Sequence, residues 1–127
     1  MSIAQFVHGR VVGVSVAATL RDAAKTMRLC RLSSLPVLRG ETVTGLITEK
    51  DLVKAMALTD RPGASFVIHY MNDCLMAAPE DEVPTAIAKM LAAGCMDLPV
   101  VDRGNLMGVV SARELLAAEA QLQGISV

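Results

Sequence analysis

Two hydrophobic periods alternate along the chain. Leu20, Ala23, Ala24 and Met27 stand at i, i+3, i+4 and i+7, the apolar stripe of a helix, and Val83, Ala86, Ile87 and Met90 repeat it. Each stripe is followed by "LPV", a short apolar strand, then by a turn carrying Gly40 or Gly104, then by a second strand at Val43 to Ile47 or Leu106 to Val110. These pairs predict hairpins. Each hairpin ends on Thr48 or Ser111, N-cap residue types, and opens a helix whose apolar positions include Leu52, Val53 and Met56, or Leu115 and Leu116. A further strand is expected ahead of each first helix, at Val11 to Val16 and around Leu75 to Ala77. Thr19 with Asp22 has the form of a capping box, and Pro84 suits the first turn of its helix, where a missing N–H costs nothing.

The halves are one pattern written twice. A shift of 63 positions carries Leu35-Pro36-Val37 onto Leu98-Pro99-Val100, Gly45 onto Gly108, Thr48 onto Ser111 and Leu52 onto Leu115, without a gap from the first helix onward. Residues 1–60 read as the first copy, 61–70 as a linker and 71–127 as the second, with Asp60, Pro62 and Gly63 breaking the helix between them. Each copy has the order strand, helix, strand, strand, helix, and at about sixty residues it is small for a self-sufficient core, so the two are expected to pack together, sheet against sheet.

The 127 residues are 53% hydrophobic, which excludes a disordered polar chain. Only Phe6, Phe66 and Tyr70 are aromatic, so aliphatic side chains and eight methionines must fill the core. A net charge of -1 provides no general attraction to nucleic acid or an anionic membrane. Met1 to Arg10 lacks a basic region followed by an apolar stretch, and no apolar run approaches the roughly 18 residues of a membrane span. A soluble, cytoplasmic protein is expected, with neither nucleic acid nor membrane as a partner. Cys30, Cys74 and Cys95 form no CxxC pair and read as small buried hydrophobes; Cys74, near a junction, is the one candidate for a redox role. His8 and His69 stand alone, with no metal-ligand spacing around them. No nucleophile and base pair and no glycine-rich phosphate loop are visible, so no enzyme activity is expected. The basic row Arg21, Lys25 and Arg28 reads as a solvated helix face, with an acidic docking partner as the alternative.

The paired pattern LPV, then Gly, two apolar residues, Thr or Ser, two further residues, Asp or Glu and Leu resembles a tandem CBS-domain pair, the Bateman module, over roughly Val7 to Ala118. The resemblance implies an α/β (α+β) fold of two CBS repeats of β-α-β-β-α type related by pseudo-two-fold symmetry, and a homodimer. It also implies an adenosine-containing ligand, AMP, ADP or ATP, bound between the copies as a regulatory signal rather than a cofactor. By the same resemblance Asp51 accepts from the ribose hydroxyls, and Thr48 and Lys50 face phosphate. Ser33 and Ser34 meet the adenine edge, with Val12 and Val14 as apolar walls. Ser111, Arg113, Glu114, Met96 and Asp97 are the matching positions of the second copy.

The chemistry is reasonable, since a carboxylate accepts from a vicinal diol and a helix N-terminus favours an anion. The same residues have an ordinary use, because Thr48-x-x-Asp51 and Ser111-x-x-Glu114 both have capping-box form. Ser-x-x-Glu is the ideal capping composition, whereas the added methylene of Glu114 would crowd a ribose fitted to Asp, so the two sites are expected to be unequal. The leading expectation is a stand-alone module that senses an adenosine nucleotide and signals to a separate effector protein. The alternatives are a nucleotide-free structural dimerisation or interaction module, or a sensor of S-adenosylmethionine or another small ligand, a redox or metal signal through the cysteines included.

Overall fold

Thr19 begins the first main helix as its pattern requires. Its hydroxyl accepts from the Asp22 N–H and the Asp22 carboxylate accepts from the Thr19 N–H, a complete capping box at the start of α1 (Leu20–Cys30). The computed structural model describes residues 1–7, 12–73 and 76–124, and they fall into two compact units, Val12–Cys74 and Leu75–Val127 with Met1–Val11.

In the Val12–Cys74 unit, β1 (Val14–Ser15) runs parallel to β2 (Ser34–Arg39), and β2 pairs antiparallel with β3 (Thr42–Thr48), which leads into α2 (Glu49–Leu58). The strand expected over Val11 to Val16 is thus two residues long, with Val11 outside the described residues. Gly40 takes the positive φ of the hairpin turn. Leu20, Ala23 and Met27 of α1 are buried with Leu35, Val37, Ile47 and Ala55, so the predicted stripe does face the core.

The residues between the copies are built into this unit rather than strung past it. Pro62–Ala64 and Val67–His69 form single 3-10 turns, and Val67 is fully buried. Its N–H donates to Ala18 O at 3.0 Å, and the Leu20 N–H donates to Ser65 O at 2.8 Å. Beyond them Leu46 and Asn72 exchange two backbone hydrogen bonds of 2.9 Å. That approach depends on Gly45, where a Cβ would stand 2.9 Å from both Asn72 O and Met71 Sδ.

The other unit repeats the plan. Ala77 makes a parallel bridge to Val100 in place of a full first strand, and Leu75 lies outside the described residues. After it come α3 (Val83–Ala93), β4 (Asp97–Asp102), β5 (Asn105–Ser111) and α4 (Ala112–Leu122), with β4 and β5 antiparallel. Pro84 occupies the first turn of α3, and Gly94 ends the helix in the left-handed region. Both hairpins carry a register irregularity at the same place, Val37/Leu38 and Val100/Val101.

The first residues of the chain belong to this second core. Ile3 is fully buried among Val83, Ala86, Leu98, Val110 and Leu115. Its N–H donates to Asp81 O at 2.9 Å and the Val83 N–H donates to Met1 O at 3.0 Å, the two bonds that Val67 and Ser65 make in the first unit. An aliphatic side chain on a short 3-10 turn closes each core. Among the described residues no helix is long and apolar enough to cross a membrane.

Candidate functional site

The start of α2 is a polar corner on an apolar strand. β3 buries Leu46 and Ile47, and its last residue, Thr48, leaves the sheet in extended geometry to become the N-cap. The Thr48 hydroxyl accepts from the Asp51 N–H at 3.3 Å. Asp51 Oδ2 in turn accepts from the Thr48 N–H at 2.8 Å and from its hydroxyl at 2.9 Å. Helix capping accounts for that much. It does not account for the remaining partner: Asn72 Nδ2 donates to Asp51 Oδ1 at 3.0 Å and to Oδ2 at 2.9 Å. Asp51 is left 7% exposed, the one buried acid in its unit among the described residues.

The residues expected at the adenine edge are carried to the same corner. Ser33 O accepts from the Glu49 N–H at 3.0 Å, and Ser34, buried, stands opposite Thr48 in the hairpin register. In the second unit Met96 O accepts from the Ala112 N–H at 2.8 Å, and Asp97, buried, stands opposite Ser111. Lys50 and Arg113 are exposed. Val14 is packed in the core beside Val37, and Val12 is half-buried against that cluster.

At the start of α4 the Ser111 hydroxyl accepts from the Glu114 N–H at 3.2 Å. Composition alone favours Ser and Glu as the better box, but the structure completes the reciprocal box at Thr48 and Asp51 and forms the hydroxyl half at Ser111. The shorter Asp side chain keeps its oxygen beside the N-cap amide, as it also does at Asp22. Glu114 is half-buried and engaged in the folded chain.

Asn72 is the site residue that sequence reasoning passes over. It sits outside both motifs, after the linker, and only its bridge to Leu46 brings it to Asp51. The closing segments of the two units correspond at a shift of 64, Ile3 with Val67, and that register sets His8 against Asn72 in the sequence; His8 lies outside the described residues. The Cys74 redox candidate lies outside them too. His69 is exposed and meets the ring of Phe66 edge-on. Arg21, Lys25 and Arg28 are all exposed. Among the described residues no group of three potential metal ligands comes together.

Comparison with known proteins agrees with this two-copy architecture. An uncharacterized 17.7 kDa protein of Acidianus ambivalens is 37% identical over 119 residues, spanning 91% of this chain and 71% of its own. The CBS domain-containing protein YhcV of Bacillus subtilis is 27% identical over 107 residues, covering 84% of this chain and 76% of its own. Among solved structures, a CBS-domain containing protein from Agrobacterium tumefaciens superposes with a TM-score of 0.83 at 22% identity, covering 94% of this chain and 99% of that one. The CBS domain profile matches twice, at residues 3–58 and 67–121, one match for each copy of the sequence pattern, and the protein therefore belongs to the CBS-domain family as a tandem CBS pair.

Proposed function

We propose that this CBS pair is a regulatory module that binds an adenosine-containing ligand, AMP, ADP or ATP, and passes its occupancy to a separate effector protein. The observation that carries the reading is the Asp51 carboxylate, buried at the head of α2 beside an exposed Lys50. A carboxylate held in this way can accept from the two hydroxyls of a ribose, and a cation one residue away can approach phosphate. Thr48 orients the acid, and Ser33 and Ser34 supply polar groups at the same corner. The corresponding set in the second copy, Ser111, Arg113, Glu114, Met96 and Asp97, forms a weaker, altered or empty site because Glu114 is longer.

The test is calorimetric titration with AMP, ADP, ATP and S-adenosylmethionine, on wild type, Asp51→Ala and Glu114→Ala, with stoichiometry recorded. One nucleotide per chain, lost in Asp51→Ala and kept in Glu114→Ala, is the expected result. A ligand at about one hundred times Kd should also add roughly 2.7 kcal/mol to stability. Two equal sites would overturn the asymmetry, and no heat with the whole panel would overturn the nucleotide reading.

A second reading, association of two copies, rests on a different observation. Val53 and Met56 of α2 are 68% and 70% exposed, and Met56 lines an open groove of about 260 Å³ with Leu20, Ala24, Leu52 and Pro62. Apolar side chains exposed together are characteristic of an interface. A homodimer through this face should fall to monomer in Val53→Asp/Met56→Asp, as read by sedimentation.

A further inference from the structure

We infer that Asn72 is an internal occupant of the Asp51 site, a specificity-setting residue whose side-chain amide a ribose diol must displace. The inference rests on the nucleotide reading above and names how that site is regulated. The Asp51 carboxylate is already crowded with donors. Each carboxylate oxygen accepts about two hydrogen bonds. Three donors already converge on Oδ2: the Thr48 N–H at 2.8 Å, the Thr48 hydroxyl at 2.9 Å and Asn72 Nδ2 at 2.9 Å. Oδ1 holds only Nδ2, at 3.0 Å, among the described residues. One incoming hydroxyl can therefore be accepted at Oδ1 with Asn72 in place. A vicinal diol brings two hydroxyls, and Oδ1 cannot take both until Nδ2 leaves.

The surroundings make this exchange a side-chain event. The Asn72 backbone is fastened to Leu46 by two 2.9 Å hydrogen bonds over Gly45, while the residue itself is exposed. Its amide can rotate into water and recover hydrogen bonds there, with no change in the strand pairing. The Thr48 bonds need not break, because both fall on Oδ2 while the diol is taken at Oδ1. Asn72 therefore opposes the diol and leaves the carboxylate in place, an arrangement that lowers affinity for ribonucleotides more than for their 2′-deoxy counterparts.

The experiment is titration of wild type and Asn72→Ala with AMP, ADP and ATP and with the 2′-deoxy form of each. Removing a charge-assisted competitor should tighten ribonucleotide binding about tenfold. The 2′-deoxy forms, which present one hydroxyl fewer, should gain much less, so the ribose preference rises. A wild type that binds and an Asn72→Ala variant that binds ribonucleotides equally or more weakly would overturn the inference and leave the nucleotide reading standing. No binding by either protein would overturn both. A measurement on the unaltered chain guards against a misfolded variant: the Asn72 side-chain amide resonances should move toward their free-solution positions as ribonucleotide saturates the site. Resonances that stay fixed at saturation would overturn the inference.

Discussion

At the start of α2 a buried carboxylate collects its donors from the cap residue and from a side chain twenty-one positions away; at the start of α4 the same motif position carries a longer, half-buried acid beside a serine cap. Both corners obey one capping rule, and both helices begin at the same place in their repeats. Part of the difference lies in the motif, where Glu stands for Asp, and Asp51 also has a partner outside it. Asn72 reaches Asp51 because the chain, after its 3-10 turns, returns along β3 and crosses Gly45 closely enough to pair with Leu46. Duplication preserved the local grammar of the corner, whereas the donors on Asp51 include a residue beyond the linker.

The close contact at Gly45 holds Asn72 over this corner. In Gly45→Ala the new Cβ would lie 2.9 Å from Asn72 O, a backbone atom, so the returning segment must move. Overpacking of this kind should cost about 1–3 kcal/mol in chemical denaturation and should release Asn72 from Asp51. An unchanged midpoint would show that the crossing is slack.

The two caps should differ in strength as they do in hydrogen bonds. Thr48→Ala removes a hydroxyl that both accepts from the Asp51 N–H and donates to its carboxylate, so about 1–2 kcal/mol should be lost. Ser111→Ala removes one cap bond, and a loss of about 1 kcal/mol or less is expected. Equal losses in paired urea melts would mean that the completed box adds nothing.

The smallest expected effect concerns Asp81, an acid of the second unit with a cation for a partner. The Lys89 ammonium, 2.8 Å away, holds the Asp81 carboxyl below its ordinary pKa, and the Ala78 N–H adds to this. A depressed folded pKa stabilises above the unfolded value and ceases to do so as pH falls through the folded one. Asp81→Asn should therefore cost under about 1 kcal/mol at neutral pH, as partly exposed ion pairs do, with the gap from wild type closing below about pH 4. A pH-independent gap would assign the loss to packing instead.

Much of the fold is legible in the residues because its signals are local. Helical stripes, the Pro and Gly positions and the Thr19 cap depend on neighbours within one turn, and α1, α3 and both hairpins stand where those signals put them. The short first strand is legible only in part: Val14 and Ser15 pair with β2, but Ala77 makes a single bridge, since so brief a strand is held by its partner rather than by its own pattern. In the site, Thr48 and Asp51 follow from the motif, while Asn72 carries no periodicity or spacing that ties it to them.

What the sequence determined by itself is the two-copy plan, the CBS family and the caps that start α2 and α4, because each of these is a repeated short-range pattern. Only the tertiary structure decided that Ile3 closes the second core, that Val67 closes the first, and that Asn72 covers Asp51. Those contacts join residues far apart in the chain, where hydrogen-bond geometry and buried volume choose the partner and no local pattern can.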